Sequence, residues 1–191
     1  MSIINVVGAK IWGGGEQYVY DICKQLQQRH RTAYILVDQS NEDMQSRYAQ
    51  VGHVMTANLY TLKGFLSVNA VAKQVKEQGI DTIVCHSGKY ILFCIALKQL
   101  TGAKLVFIKH NLVPGKTDMY HRWINAQVDA FVCVSKLVYD DLMTPAIKDT
   151  SKYHVVYNGI DPNRFQSFSD AVPMKYKVRT FGYSARITER K

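Results

Sequence analysis

The chain has 191 residues, of which 47% are hydrophobic and 20% charged, with a formal net charge of +9. This balance excludes a disordered chain and suits one α/β domain with a full core and little more. No apolar run is long enough to span a bilayer, and the opening residues Met1-Ser2-Ile3-Ile4-Asn5 lack the charged-then-apolar order of a secretory signal, so they read as a strand.

In chain order, short apolar β-type runs alternate with helical periods, the pattern of a parallel sheet wrapped by helices. Ile3 to Val7 is predicted as a strand followed by a glycine-rich turn. Beyond Glu16, the residues Val19, Ile22, Cys23 and Leu26 fall on one helical face. A second strand covers Ala33 to Val37 and ends at Asp38, a polar helix runs near Glu42 to Gln50, and a short strand lies around His53 to Thr56. Leu66 to Gln78 has helical period, with Val68, Val71, Ala72 and Val75 inward and Lys73 and Lys76 outward. Thr82 to Cys85, Leu105 to Ile108, Ala130 to Val134 and Tyr153 to Tyr157 are further strands, and Tyr90 to Leu100 is a helix. Ser135 is placed to cap a helix carrying Leu137, Val138 and Leu142, since its hydroxyl can accept from the free N–H groups of the first turn. After Tyr157 the rhythm changes. Residues 1–160 read as one Rossmann-like, doubly wound domain, 161–177 as a linker, and 178–191 as the opening of a second domain.

Four cysteines, Cys23, Cys85, Cys94 and Cys133, have no C-x-x-C spacing and fit a reducing, cytoplasmic compartment. The positive excess calls for an anionic partner: nucleic acid, a phosphorylated small molecule or an anionic membrane surface. The basic residues are spread thinly, without a dense run or an aromatic-basic RNA motif.

Three places carry residues suited to chemistry. Gly13-Gly14-Gly15-Glu16 lies between the first strand and the first long helix, where glycines let backbone approach a ligand and the helix start offers unpaired N–H groups to an anion. The dinucleotide fingerprint G-x-G-x-x-G fails at its last position, which is Tyr18, and no Gly-Lys-Ser/Thr follows for a Walker loop. Lys109-His110-Asn111 follows a strand directly, so His110 belongs at the carboxyl edge where open α/β sheets bind ligands. A histidine that merely satisfies loop backbone is the structural alternative. His86 follows another strand in the same way. Arg186 and Lys191, beyond the last predicted strand, suit a diphosphate, or a solvated chain end. No group of histidines and acids has zinc-like spacing, so no metal is expected.

In this order the motifs resemble the retaining glycosyltransferases of the GT-B architecture, in the group that includes sucrose synthases and phosphatidylinositol mannosyltransferases (family four). The resemblance rests on Gly13-Gly14-Gly15-Glu16, the strand-end His110, Val134-Ser135-Lys136 opening a helix, Val156-Tyr157-Asn158-Gly159-Ile160-Asp161, and Gly182 through Arg186 to Lys191. It implies the N-terminal, acceptor-side half of such an enzyme. A nucleotide-diphosphate sugar would be the donor, a glycan or lipid-linked molecule the acceptor, with no cofactor, no metal and no nucleic acid. Gly14, Gly15, Glu16 and Asn111 would meet substrate, His110 a hydroxyl of the sugar, and Arg186 and Lys191 the diphosphate. The family's acidic E-x7-E segment is absent from these 191 residues, so the chain by itself is expected to be inactive.

Two rivals stand beside this reading. Asp38 ends the second strand about where a ribose-binding acid of a nucleotide-sugar dehydrogenase or epimerase would lie. A non-enzymatic basic module on membrane or nucleic acid would account for the charge. Lys116, Tyr120, His121, Arg122 and Trp123 bear on the second, since cations interleaved with amphipathic rings suit a headgroup surface unless Tyr120 and Trp123 face the core of a helix.

Overall fold

The computed structural model describes residues 2–60, 64–143, 147 and 149–160. Among them seven strands occur: β1 (Ile3–Val7), β2 (Ala33–Asp38), β3 (His53–Ala57), β4 (Thr82–Cys85), β5 (Lys104–Lys109), β6 (Ala130–Cys133) and β7 (Tyr153–Val155). They form one sheet in the order β3-β2-β1-β4-β5-β6-β7, with every neighbouring pair parallel. Six helices connect them: α1 (Gly14–Gln28), α2 (Glu42–Tyr48), α3 (Gly64–Glu77), α4 (Ile91–Thr101, entered through a 3-10 turn at Gly88–Tyr90), α5 (Met119–Gln127) and α6 (Lys136–Leu142).

Alternation along the strands builds two cores, because successive side chains point to opposite faces of a pleated sheet. On β1, Ile4 and Val6 join a cluster with α3, α4, α5 and α6, whereas Val7 joins a smaller one with α1 and α2. On β2 the division repeats, with Leu36 on the first side and Ile35 and Val37 on the second. Helices therefore cover both faces, which makes the fold doubly wound. Val68, Val71, Ala72 and Val75 of α3 are buried as its period predicts, while Lys73 and Lys76 face solvent. Ser135 caps α6, its Oγ accepting from the Val138 N–H at 3.2 Å. Val138 and Leu142 of this short helix are buried and Tyr139 packs partly against the core, whereas Leu137 is 64% exposed.

Residues Met1–Asn158 make one compact unit. Of the second unit, Gly159–Lys191, only Gly159 and Ile160 are described. The predicted linker and the opening of a second domain lie outside the described residues.

The strand order has one consequence for function. The chain leaves β1 toward β2 and β3, then crosses back to place β4 on the other side of β1. This makes the carboxyl ends of β1 and β4 the switch point of the sheet, the usual ligand position in such folds.

Candidate active site at the carboxyl edge of the sheet

The turn after β1 is held from both sides. Trp12 packs against Tyr48, with ring centroids 5.2 Å apart, and against Tyr20 at 5.9 Å, while the Arg47 guanidinium lies 5.0 Å over the indole. Buried Tyr48 donates its hydroxyl to the Glu16 carbonyl at 3.0 Å, tying α1 to α2. The Glu16 carboxylate turns back on the loop and accepts from the Gly13 N–H at 2.9 Å, one half of a capping box. Glu16, a candidate to meet substrate, thus has its carboxylate bonded to the loop backbone.

Within this braced turn, Gly14 and Gly15 are not required by the fold. A β-carbon on Gly14 would meet nothing within 4 Å, and one on Gly15 only His110 Cδ2 at 3.9 Å, an ordinary contact. Neither has a left-handed φ. Both lie in the first turn of α1, where glycine is a poor helix former. Two residues that weaken a helix without relieving a clash leave space outside the backbone.

His110 stands across from them, half-buried, one residue past β5, and Asn111 beside it is exposed. His86 is one residue past β4 and buried. The structure joins the two. His86 Nδ1 and His110 Nε2 are 3.1 Å apart, and the rings stack with centroids at 5.4 Å. On its far side His86 Nε2 lies 3.1 Å from Oδ1 of Asn5, a buried residue of β1. Tyr18, which occupies the third-glycine position of the failed dinucleotide fingerprint, sets its ring edgewise 5.2 Å from His110 and 6.2 Å from His86. A polar line therefore runs from β1 through the end of β4 to the end of β5, walled by α1.

Electrostatics keep this line neutral. Burial, followed by the neighbouring His110, pushes the His86 pKa down to about 3. Burial alone lowers that of His110. Desolvation penalises the imidazolium, so both rings are uncharged at neutral pH. Burial also pushes the Lys109 ammonium down, and its Nζ lies 4.4 Å from the Phe107 ring centroid.

Asp38 is not free for a ribose. Burial pushes its carboxyl up, but hydrogen bonds donated by the Ser40 side chain and the Leu59 and Ser40 backbone N–H groups outweigh that and hold it low. The contacts to the two N–H groups measure 2.9 Å from Leu59 and 3.0 Å from Ser40. The acid is consumed by its own turn and by the Leu59 N–H beyond β3, which argues against a dinucleotide-binding dehydrogenase.

The cluster around Trp123 is settled in part. Tyr120 and Trp123 belong to α5, and they are 50% and 49% exposed, so they do not face the core. Met119 is 87% exposed, and Ile124 is the buried residue of this helix. Among the described residues no helix is long and apolar enough to cross a membrane. Arg186 and Lys191 lie outside the described residues.

The sequence singles out Gly14, Gly15 and His110 as candidates, keeps His86 separate and leaves Asn5 unmarked. One signal was available: Asn5 is the single polar residue in the apolar run Ile-Ile-Asn-Val-Val. Trp12 and Tyr18 carried no comparable mark.

A doubly wound parallel sheet in this order, with a glycine turn after β1, matches the N-terminal half of the GT-B glycosyltransferase fold. The chain belongs to Glycosyltransferase Family 4, whose sequence profile matches residues 12–164. Its structure is similar to a glycosyltransferase from Rickettsia africae (TM-score 0.71, 19% identity, covering 86% of this chain and 45% of that one). It is also similar to HepE of Anabaena in complex with UDP and glucose (TM-score 0.65, 18% identity, 85% and 46%). A third likeness is to the lipopolysaccharide outer core galactosyltransferase WaaB (TM-score 0.59, 14% identity, 84% and 46%). At these identities the likeness is one of fold, and the chain spans less than half the length of those proteins. No curated protein sequence matches it.

Proposed function

We propose that the complete protein transfers a sugar from a nucleotide-diphosphate sugar to a glycan or lipid-linked acceptor, with retention at the anomeric carbon. The observation that carries this reading is the pair Gly14 and Gly15, where a β-carbon would meet nothing closer than His110 Cδ2 at 3.9 Å from Gly15, with His110 neutral beside them. Backbone there is free to approach the diphosphate or the transferred sugar, and His110 is placed to meet a sugar hydroxyl. Asn111 is exposed beside it and Glu16 holds the loop in shape. Arg186 and Lys191 would neutralise the diphosphate as its charge develops in the transition state, which is where fixed cations lower the barrier most. In this reading no metal or cofactor takes part. Membership of the family, and UDP and glucose in the Anabaena relative of this fold, support a nucleotide-sugar donor. Retention rests on the sequence resemblance to retaining enzymes.

The acceptor half would work at the cytoplasmic side of the cell envelope. The exposed aromatic face of α5 favours a lipid-linked acceptor, because Tyr120 and Trp123 stand in water beside Lys116 and Arg122. Rings and cations together suit an anionic headgroup layer. A lipopolysaccharide sugar transferase of the same fold is in keeping with a cell-envelope product.

The test is a panel of nucleotide-diphosphate sugars offered to the complete protein, with hydrolysis, transfer and binding followed. Turnover or binding with one of them is expected, and none with any would overturn the assignment. For the surface, co-sedimentation with anionic but not neutral vesicles, weakened by salt, is expected. Absence of binding to both would leave a glycan acceptor in solution.

A further inference from the structure

The line Asn5–His86–His110 does more than fill space at the carboxyl edge. We infer that Asn5 and His86 are positioning residues that hold His110 as the Nε2–H tautomer, leaving its Nδ1 a bare acceptor that receives a hydroxyl and turns away a phosphate oxygen. This deepens the proposed function and rests on it for the identity of the hydroxyl.

The assignment follows from counting protons. The Asn5 side chain directs Nδ2 at Cys23 Sγ, 3.8 Å away, and Oδ1 at His86 Nε2, 3.1 Å away. Burial pushes the Cys23 thiol up to about 12, so its sulfur is a neutral thiol that can take only a weak bond from the amide. An amide oxygen cannot donate, so His86 donates to it from Nε2. A neutral imidazole carries one N–H, and with a pKa near 3 His86 has no second proton. Its Nδ1 therefore accepts, and the group facing it at 3.1 Å, His110 Nε2, must donate. His110 is then also spent as a donor. Its Nδ1 has no partner among the described residues and keeps its lone pair.

The ligand chemistry follows. A lone pair on half-buried His110 binds a group that brings a proton, and a sugar hydroxyl does. An ionised phosphate oxygen brings only lone pairs, and opposing it to bare Nδ1 is repulsive. The rest of the site gives His110 little chance to change roles. Tyr18 packs its ring edge against both imidazoles, and burial opposes a second proton on either. His110 is in this way committed to the sugar, and the diphosphate is left to the glycine-turn backbone.

The experiment reads nitrogen protonation directly. The 191-residue chain, labelled with nitrogen-15 in histidine, is observed near neutral pH by two-bond proton–nitrogen correlation without substrate. The expected spectrum shows His86 and His110 both protonated at Nε2 and bare at Nδ1. His110 protonated at Nδ1 would mean that the Asn5 amide faces the other way and would overturn the inference. In His86→Leu, His110 is expected to relax to a mixture of its two neutral tautomers, and an unchanged tautomer would end the positioning role. Should that variant fail to fold, the wild-type spectrum still decides the tautomer. Addition of inorganic pyrophosphate is expected to leave His110 protonated at Nε2 and bare at Nδ1, and protonation of Nδ1 by pyrophosphate would contradict the proposed selectivity. These readouts need no turnover. A correct tautomer with no sugar transfer would sink the function and not the relay, and active enzyme with the opposite tautomer would do the reverse.

Discussion

Gly52 at the amino end of the sheet and Gly14 at its carboxyl end stand in opposite surroundings, although the carboxyl end also holds Gly8, where a β-carbon would come within 2.8 Å of the Tyr90 ring. At the amino end, Gly52 precedes β3 where a β-carbon would come within 2.5 Å of Ile35 Cδ1 and 2.6 Å of the Ala33 carbonyl oxygen. At the carboxyl end, a β-carbon on Gly14 would touch nothing. The amino end also closes its polar groups on one another. Asp129 accepts from the Leu105 N–H and from Lys98 Nζ, each at 2.7 Å, and Lys98 donates further to the Gln127 carbonyl. Lys152 is bound to the carbonyls of Asn125 and Val128. At the carboxyl end the chain of bonds from Asn5 through His86 stops at His110, whose Nδ1 is left one donor short among the described residues. A glycine that the fold needs and a glycine that it does not need are indistinguishable as letters, and only their surroundings separate scaffold from site.

The largest effect expected from breaking this contrast is catalytic. In the complete enzyme, His110→Ala should lower kcat by about a hundredfold, the scale seen when one fixed polar contact to the reacting group is lost. Nucleotide binding should change far less. Equal small losses in both would return His110 to a packing role. At the amino end, Gly52→Ala should leave chemistry alone and cost about 1–3 kcal/mol of stability, because the new methyl meets backbone that cannot yield freely. Urea unfolding of the chain measures this, and an unchanged midpoint would show that the turn gives way.

A smaller effect separates the ends by pH. His86 has its pKa near 3 in the folded chain and about 6.5 when unfolded. Between those values the unfolded chain binds the extra proton, so stability is full above about pH 6.5 and falls as pH drops toward 3. The slope from this one group approaches ~1.4 kcal/mol per pH unit. The groups facing His86 are His110, Asn5 and Tyr18, and among them only His110 also titrates in this window, with its pKa likewise lowered. His86→Gln should flatten the acid limb, and an unaltered limb would place the acid sensitivity elsewhere.

Much of the scaffold was legible because it follows simple periods. The buried strands read as apolar runs, and α1 and α3 as helical stripes. Helix α5 was not assigned, for a physical reason: its apolar residues Met119, Tyr120 and Trp123 face outward and only Ile124 is buried, so no inward stripe marks it. The glycine turn and His110 were each legible from their places after strands. Their union was not. Asn5 and His86 are 81 positions apart, and they meet because the chain crosses from β3 back to β4 beside β1. Spacing in the sequence carries no trace of that crossing.

The smallest expected effect has the greatest bearing on the account. Gly14 begins α1 and Gly15 follows in its first turn, with room for a methyl at both. Gly14→Ala alone should raise stability by about 0.4–1 kcal/mol, chiefly by restricting the unfolded chain. If the space exists for a nucleotide sugar, the same methyl must obstruct it. The direct measurement is to make Gly14→Ala and Gly15→Ala together in the complete enzyme and record thermal unfolding and kcat/KM for sugar transfer on the same preparation. The account predicts a higher Tm with kcat/KM lowered by an order of magnitude or more. A higher Tm with undiminished kcat/KM would show that no ligand approaches this turn, and would contradict the assignment of the carboxyl edge as the donor site.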